Sequence, residues 1–165
     1  MAIESSTSKQ PTATRPHMDG YGVPSSSEGM LPWEWAGERF SKSHNYLLST
    51  VRPDGAPHVM PVWGIWLRGA FYFSTAASSR KAKNLEQNPK CVVCNEQTDE
   101  AIILEGIARR MAEKEIPPDA FTAYQAKYEW KLDTQLGPVF HVQPKVVFAM
   151  PERRFPKDVT KWLFE

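Results

Sequence analysis

The sequence predicts a mainly β protein, a barrel with helical additions. Short runs rich in aromatic and β-branched residues follow one another from residue 45 onward, and Gly or Pro turn signals separate them roughly every 8–12 residues. The length of 165 residues is enough for one compact domain with a modest core. We assign residues 31–165 to this domain. Residues 1–30 are poor in apolar residues and rich in Ser, Thr, Pro and Gly, which predicts a flexible N-terminal tail.

Charge and hydropathy exclude several functional classes. The formal net charge is +1, so no overall field points to nucleic acid or to a membrane surface. No apolar run approaches the roughly 20 residues that a transmembrane helix needs, and no apolar signal segment is present near the start. We therefore expect a cytoplasmic protein with no nucleic-acid or membrane partner.

The domain is expected to open with a helix and a three-stranded meander. Residues 31–40 favour a helix, because Pro32 suits its first turn and two tryptophans give it an apolar face. Three strands follow at residues 45–52, 57–67 and 70–75, with tight turns between them at Pro53-Asp54-Gly55 and at Arg68-Gly69.

The second strand of this meander has an irregular backbone. Pro61 has no N–H, so the hydrogen-bond ladder must be interrupted there, at an edge or a bulge. Gly64 allows another group to approach the backbone closely. Together they predict a strand that faces something other than another strand; the alternative is that Met60 and Trp63 are core residues.

The stretch after the third strand predicts an anion site. A strand that ends in Ser74 and Thr75 leads through a short loop into a helix, which we expect to start near Ser78 or Ser79 and to stop before Asn88-Pro89. Arg80 and Lys81 lie in its first turn, where the helix dipole disfavours cations. A bound anion would offset this, whereas the alternative is a solvated basic helix start.

The remainder of the chain completes the sheet. Strands are expected at residues 90–96, 101–111 and 138–150, with a bend or bulge at Gly106 and a break at Pro144. A helix is expected between residues 117 and 130, where Phe121, Tyr124 and Tyr128 form an apolar stripe that we interpret as core or interface. Cys91 and Cys94 lie three apart in a strand and point to opposite faces, so we interpret them as inert thiols and expect no metal site.

From the strand end to the helix, the residue order resembles the FMN-binding split-barrel family around pyridoxamine 5′-phosphate oxidase, whose relatives include flavin and deazaflavin (coenzyme F-420) oxidoreductases. The resemblance rests on a strand ending in Ser-Thr, a loop, Ser79-Arg80-Lys81, and the pattern A-x-N-L-x-x-N-P. It covers residues 33–111 well and the C-terminal third loosely. It implies a split β-barrel homodimer that binds a flavin-type cofactor at its interface and acts on a small-molecule substrate.

The resemblance also implies site residues. The cofactor phosphate would be held by Ser74, Thr75, Ser79, Arg80 and Lys81, with Lys83 as a further candidate. The ring would lie along the second strand, against Val59, Met60, Pro61, Val62 and Trp63. In relatives a basic and aromatic C-terminal end closes over the cofactor of the neighbouring subunit, and the matching positions here are Lys161 and Trp162.

Two departures bear on the reaction. When the strands are aligned on the turn at Gly69, His58 and Trp63 occupy the positions at which the oxidase has an Arg and a Lys that hold cofactor and substrate. The oxidase's C-terminal Arg-x-His signature is also missing. We therefore expect transfer of hydride or electrons to a small flat or apolar substrate, not oxidation of pyridoxamine phosphate. We keep His58 among the cofactor-binding candidates and assign no catalytic residue.

The identity of the ligand is left open between alternatives. FMN is the first expectation, because the site fits a single terminal phosphate, and F-420 is the alternative. The longer acidic tail of F-420 would need further cations, for which Lys83, Lys90, Arg109 and Arg110 are candidates. A non-enzymatic flavin- or haem-binding module, with His58 or His141 as haem ligand, and a cofactor-free interaction protein are further hypotheses.

Overall fold

The computed structural model describes residues 10–165. Within this range the strands are β1 (Thr12–Thr14), β2 (Tyr46–Val51), β3 (Pro57–Val62), β4 (Gly64–Leu67), β5 (Ala70–Ser74), β6 (Lys90–Asn95), β7 (Glu100–Arg110), β8 (Val139–Pro151) and β9 (Thr160–Leu163). The helices are α1 (Trp33–Lys42), α2 (Arg80–Gln87) and α3 (Pro118–Tyr128), with a 3₁₀ turn at Glu113–Glu115. The predicted class, mainly β with helical additions, is confirmed.

All strand pairs are antiparallel, and they form one sheet in the order β1-β9-β8-β7-β6-β2-β3. The β4–β5 hairpin joins the same sheet, because β5 pairs with the first half of β8. The second half of β8 pairs with β9. Because one long strand serves both groups, the sheet curls around a common interior. β3 ends the sheet order, so its second edge pairs with no strand among the described residues.

A bulge bends the two longest strands. Glu105 pairs with Val146, but the next residue, Gly106, pairs with Pro144, which leaves Lys145 without a partner position. A Cβ on Gly106 would lie 2.6 Å from the carbonyl oxygen of Gln143, so the close approach requires glycine. The bulge predicted at Gly106 is confirmed, and the irregularity predicted at Pro144 is the other half of the same feature.

Two apolar cores hold the domain together. The larger one lies between the sheet, α1 and α2, and includes the fully buried rings of Tyr46, Phe71 and Phe73. The smaller one packs α3 against the β4–β5 hairpin and contains Tyr124 and Tyr128. The stripe predicted on α3 is therefore core, and it places both tyrosines behind the end of β3.

The segment before α1 differs in part from the predicted flexible tail. Thr12–Thr14 forms a strand against β9, and the Arg15 guanidinium donates hydrogen bonds to the carbonyl oxygens of Ser26, Glu28 and Val159. Sequence reasoning missed this pairing because the partner strand lies almost 150 residues further along the chain. The first nine residues of the expected tail lie outside the described residues.

One predicted strand is two in the structure. Residues 57–67 were expected to be continuous, but β3 ends at Val62 and β4 starts at Gly64. The Gly64 N–H donates to the Tyr128 hydroxyl (2.9 Å), but Gly64 also pairs with Phe73 of β5, so the prediction that this backbone faces no other strand is wrong at Gly64. A Cβ on Gly64 would overlap the Phe71 ring and lie 2.8 Å from the Tyr72 carbonyl oxygen. The glycine thus fixes where Trp63 leaves the sheet.

We expect Gly64→Ala to lower the free energy of unfolding by about 3 kcal/mol or more, because the methyl group meets a buried ring and backbone, neither of which can move freely. The control is Gly37→Ala in α1, where no heavy atom lies within 4 Å of the added Cβ. There, alanine should stabilise the helix by about 0.5–1 kcal/mol. Urea unfolding of both variants measures the difference. Equal effects would contradict the packing described for Gly64.

Candidate functional site

The end of β3, the end of β5 and the start of α2 surround a cavity of about 360 Å³. It is lined by Asn45, Pro61, Val62, Trp63, Ser74, Thr75, Lys81 and Tyr124. Six of these eight were site candidates from the sequence. Asn45 and Tyr124 were missed, because Asn45 carries no motif and Tyr124 belongs to a stripe that is otherwise core. The structure therefore brings the two predicted halves, strand and helix start, to one place.

A hydroxyl network organises the helix end of the cavity. Ser79 caps α2: its Oγ accepts hydrogen bonds from the Ala82 N–H (3.2 Å) and from the Thr75 hydroxyl (3.2 Å). Since that oxygen already accepts twice, its own proton is left to donate. The helix boundaries predicted from Ser79 and Asn88-Pro89 are confirmed, because α2 runs from Arg80 to Gln87.

The loop before β8 fixes the two strand-end residues. The Thr75 N–H donates to the Pro138 carbonyl oxygen (3.3 Å), and a Cβ on Gly137 would overlap the carbonyl group of Thr75. The end of β5 is thus held against the loop that precedes β8. Ser74 and Thr75, both half-buried, are kept facing the cavity.

The cations near the cavity have no acidic partners among residues 10–165. Lys81 is half-buried in the wall, whereas Arg80 and Lys83 are exposed, and none of the three forms an ion pair or hydrogen bond within the described part of the chain. Partial burial lowers the pKa of Lys81. An unneutralised, partly desolvated ammonium beside donating hydroxyls fits a group that only accepts hydrogen bonds, such as a phosphate.

The aromatic side chain of Trp63 lines the other end of the cavity. The Trp63 ring is 41% exposed and stacks on Tyr128 with ring centroids 4.7 Å apart and planes 8° apart. The Tyr128 hydroxyl is fixed in turn, because it donates to the carbonyl oxygen of His44 or Gly64, each at 2.8 Å. The exposed indole face is therefore pre-oriented, and it suits a planar apolar ligand.

The side chains of β3 are mostly at the surface. Val59 is 54% exposed and Met60 is 43% exposed; Pro61 is also exposed, and Val62 alone is buried. The alternative that Met60 and Trp63 are core residues is therefore wrong. Pro61 lies in a strand at the end of the sheet, as its missing N–H predicts.

His58 lies on β3 directly opposite Thr50 of β2. Partial burial, and then the positive charges of Arg52, Lys81 and Arg80, hold the pKa of His58 below its usual value. The imidazole is thus neutral near pH 7 and belongs to the same basic neighbourhood as the start of α2. His141, the second haem-ligand candidate, lies on β8 opposite Tyr72 of β5 and does not line the cavity.

The C-terminal strand requires a correction. Trp162 is only 1% exposed and packs edge-on against Trp33 inside its own subunit (ring centroids 5.4 Å apart). The prediction that it closes over the cofactor of a neighbouring subunit is therefore wrong, since a ring in the core cannot reach a partner. Lys161 points to the other side of β9 and is half-exposed.

The further cations considered for an acidic tail do not gather at the cavity. Arg109 pairs with Glu115 (3.0 Å), and Arg110 lies 3.6 Å from Glu86. Lys90 lines a separate groove on the outer face of the sheet. Within residues 10–165 no cluster of His, Cys, Asp and Glu could hold a metal ion. In the same range, no helix has the length and apolarity that crossing a membrane requires.

Comparisons with known proteins identify the family and the fold. The family model of pyridoxamine 5′-phosphate oxidase matches residues 36–151. A comparison with curated proteins found no match. Similar solved structures include an F420 reductase (18% identity, 67% of this chain and 93% of that chain, TM-score 0.56). Another is HutZ, the heme storage protein from Vibrio cholerae (17% identity, 71% of this chain and 91% of that chain, TM-score 0.58). A third is an FAD-binding protein from Mesorhizobium loti (12% identity, 82% of this chain and 96% of that chain, TM-score 0.58).

At these identities the solved structures establish a shared fold, and the family assignment comes from the family model. That model extends from α1 to the end of β8 and so includes β3, β5 and α2, which form the cavity. The protein belongs to the pyridoxamine 5′-phosphate oxidase family and has its split β-barrel fold.

Proposed function

We propose that the protein is an oxidoreductase that binds FMN in the cavity at the start of α2 and transfers hydride or electrons to a small organic substrate. The observation that carries the proposal is the set of polar groups at the start of α2. Lys81 has no acidic partner in the described residues, and the Ser79 hydroxyl has a proton left to donate. Lys81 lines a cavity whose far wall is the exposed indole of Trp63, and Ser79 is joined to that cavity through the Thr75 hydroxyl, which also lines it.

Each group has a role in this proposal. Ser74, Thr75, Ser79 and Lys81 would hold the phosphate, with Arg80 and Lys83 contributing positive charge from the surface. The open edge of β3 would offer its backbone to the ring edge, and Trp63 would cover one side. Bound FMN supplies the redox chemistry itself. The protein's part is to position the ring and to keep water away from it.

FMN is preferred over F-420 because of where the cations are. A single phosphate needs only the groups already at the cavity, whereas an acidic tail would need more. Arg109 and Arg110 are paired with glutamates, and Lys90 lies elsewhere. That one of the similar structures is an F420 reductase keeps F-420 as the alternative.

The proposed substrate is not pyridoxamine phosphate. Trp63 stands where that substrate's oxidase would offer a cation, and its ring is exposed and stacked, so it presents an apolar surface. A flat, uncharged acceptor suits such a wall better than a second phosphate does. The cytoplasmic location expected from the sequence is part of the proposal, and two unpaired thiols suit a reducing compartment.

The proposed enzyme is a homodimer, and an apolar sheet face supports this. Outward-facing side chains on β2, β3, β6 and β7 share one face, because strand register places them opposite one another. Leu47 is 44% exposed and Val59 is 54% exposed. Others on this face are Val51, Val92, Ile103 and Ile107. A contiguous apolar face of this kind is typical of an interface, and a second copy of the chain would cover it.

The test is an absorbance spectrum of the purified protein, followed by titration with FMN, F-420 and haem. We expect FMN to bind with a dissociation constant at least tenfold lower than that of F-420. Preferential binding of F-420 would move the protein to the deazaflavin-dependent reductases. A Soret band whose position changes when His58 is replaced would favour the haem-binding module. This alternative is tested because the chain shares its fold with a heme storage protein. Binding of none of them would overturn the proposed function.

A further inference from the structure

A polar pair is buried beneath the anion site, in a core that is otherwise apolar. Asn84, on the sheet-facing side of α2, has no exposed surface, and its side-chain Nδ2 donates to the Thr50 Oγ1 at 2.9 Å. Thr50 is 2% exposed. The Asn84 Oδ1 accepts no hydrogen bond from the described residues. Burying an amide with one end unpaired is unfavourable, so a leucine would serve packing at least as well.

The pair leads to His58. The Thr50 Oγ1 lies 3.5 Å from the His58 Nδ1, across the β2–β3 pair in which the two residues are direct partners. Asn84 follows Arg80 by one helical turn, so the buried Asn84 and the exposed Arg80 lie along the same side of α2. The chain of contacts therefore runs from the interior, through a hydroxyl, to the imidazole beside the cations of the anion site.

The direction of the first of these hydrogen bonds follows from the groups themselves. The Asn84 amide can only donate from Nδ2, so the Thr50 oxygen accepts from it and the hydroxyl proton is free to point to His58. Two arrangements satisfy the 3.5 Å contact: the Thr50 hydroxyl donates to Nδ1, with the ring proton on Nε2, or an Nδ1–H donates to the Thr50 oxygen. The cations that face His58 are Arg52 from the β2–β3 turn, and Arg80 and Lys81 from α2, and all three disfavour the imidazolium form.

We propose that Thr50 and Asn84 are positioning residues that hold neutral His58 as its Nε2–H tautomer, so that His58 serves as one more hydrogen-bond donor to the anion held at the start of α2. That this anion is the cofactor phosphate rests on the proposed function. The orientation of His58 does not depend on it.

The first test uses the cofactor-free protein. Nitrogen-15 NMR of the imidazoles should show His58 almost entirely as the Nε2–H tautomer in the wild type. In Thr50→Val, which removes the hydroxyl and keeps the shape, the ring should return to the mixture found in free histidine and its pKa should rise. Thr50→Ser should restore the wild-type spectrum, and Ser49→Ala is the control for loss of a hydroxyl on the opposite face. A Thr50→Val spectrum identical to the wild type would overturn the proposal.

The second test asks whether His58 contacts the anion, with inorganic phosphate as the probe. Phosphate should shift the His58 ring signals in the wild type and in Thr50→Ser. For FMN, Thr50→Val should weaken binding by roughly threefold to tenfold, the size of one neutral hydrogen bond, and riboflavin binding should not change. If phosphate shifts His58 but no flavin binds, the inference stands and the proposed function fails. If FMN binds normally in both His58→Ala and Thr50→Val, the inference fails and the proposed function stands.

Discussion

Replacing Lys81 with glutamate should weaken FMN binding at least roughly a hundredfold. The ammonium is the only cation that lines the cavity among the described residues, and no acidic group neutralises it there. Losing a hydrogen bond to a charged group costs about 1.5–3 kcal/mol, and the new carboxylate repels a phosphate in the same place. Isothermal titration with FMN measures the effect. Riboflavin, which lacks the phosphate, should bind both proteins equally.

The matched control is Lys83→Glu. Lys83 lies on the same helix, carries the same charge change and is exposed, but it does not line the cavity. We expect it to weaken FMN binding by no more than about threefold, the effect of a screened surface charge. Equal losses in the two variants would mean that the helix acts through its overall field. Normal FMN affinity in Lys81→Glu would show that the phosphate lies elsewhere.

Much of this site could be predicted because its signals are local. Ser79 before two cations marks a helix start whose charges are unfavourable without an anion, and the structure places that helix start at a cavity. Likewise, Pro61 and Gly64 mark an irregular backbone, and the structure places Pro61 in the edge strand β3 and Gly64 at the start of a separate strand, β4. In each case one residue type has few conformations open to it, so its position limits the local structure.

What could not be predicted depends on contacts between distant parts of the chain. Tyr124 reaches the cavity only because α3 packs on the β4–β5 hairpin, and its helical stripe by itself indicates core. Trp162 was misassigned because a basic and aromatic tail looks like a surface segment, whereas pairing of β9 with both β1 and β8 turns its ring inward. The Asn84–Thr50 contact, 34 residues apart, carries no motif at all.

Replacing Leu47 with aspartate should dissociate the proposed homodimer. In a twofold-symmetric interface each substitution occurs twice, and each would place a carboxylate without a partner against the apolar face that includes Val59, Val92 and Ile103. We expect the dimer dissociation constant to rise at least roughly a hundredfold, as measured by sedimentation velocity. Because Leu47 is 44% exposed within one subunit, the fold itself should survive, and thermal unfolding of the monomer checks this.

The control for this variant is Tyr21→Asp, which adds the same charge at a residue that is 60% exposed and contacts Phe155, away from the sheet face. It should leave the dimer intact. If Leu47→Asp also weakens FMN binding while Tyr21→Asp does not, the cofactor site needs groups from both subunits. A wild-type protein that sediments as a monomer would contradict the dimer. The apolar face would then need another cover, because so many exposed branched side chains on neighbouring strands favour association.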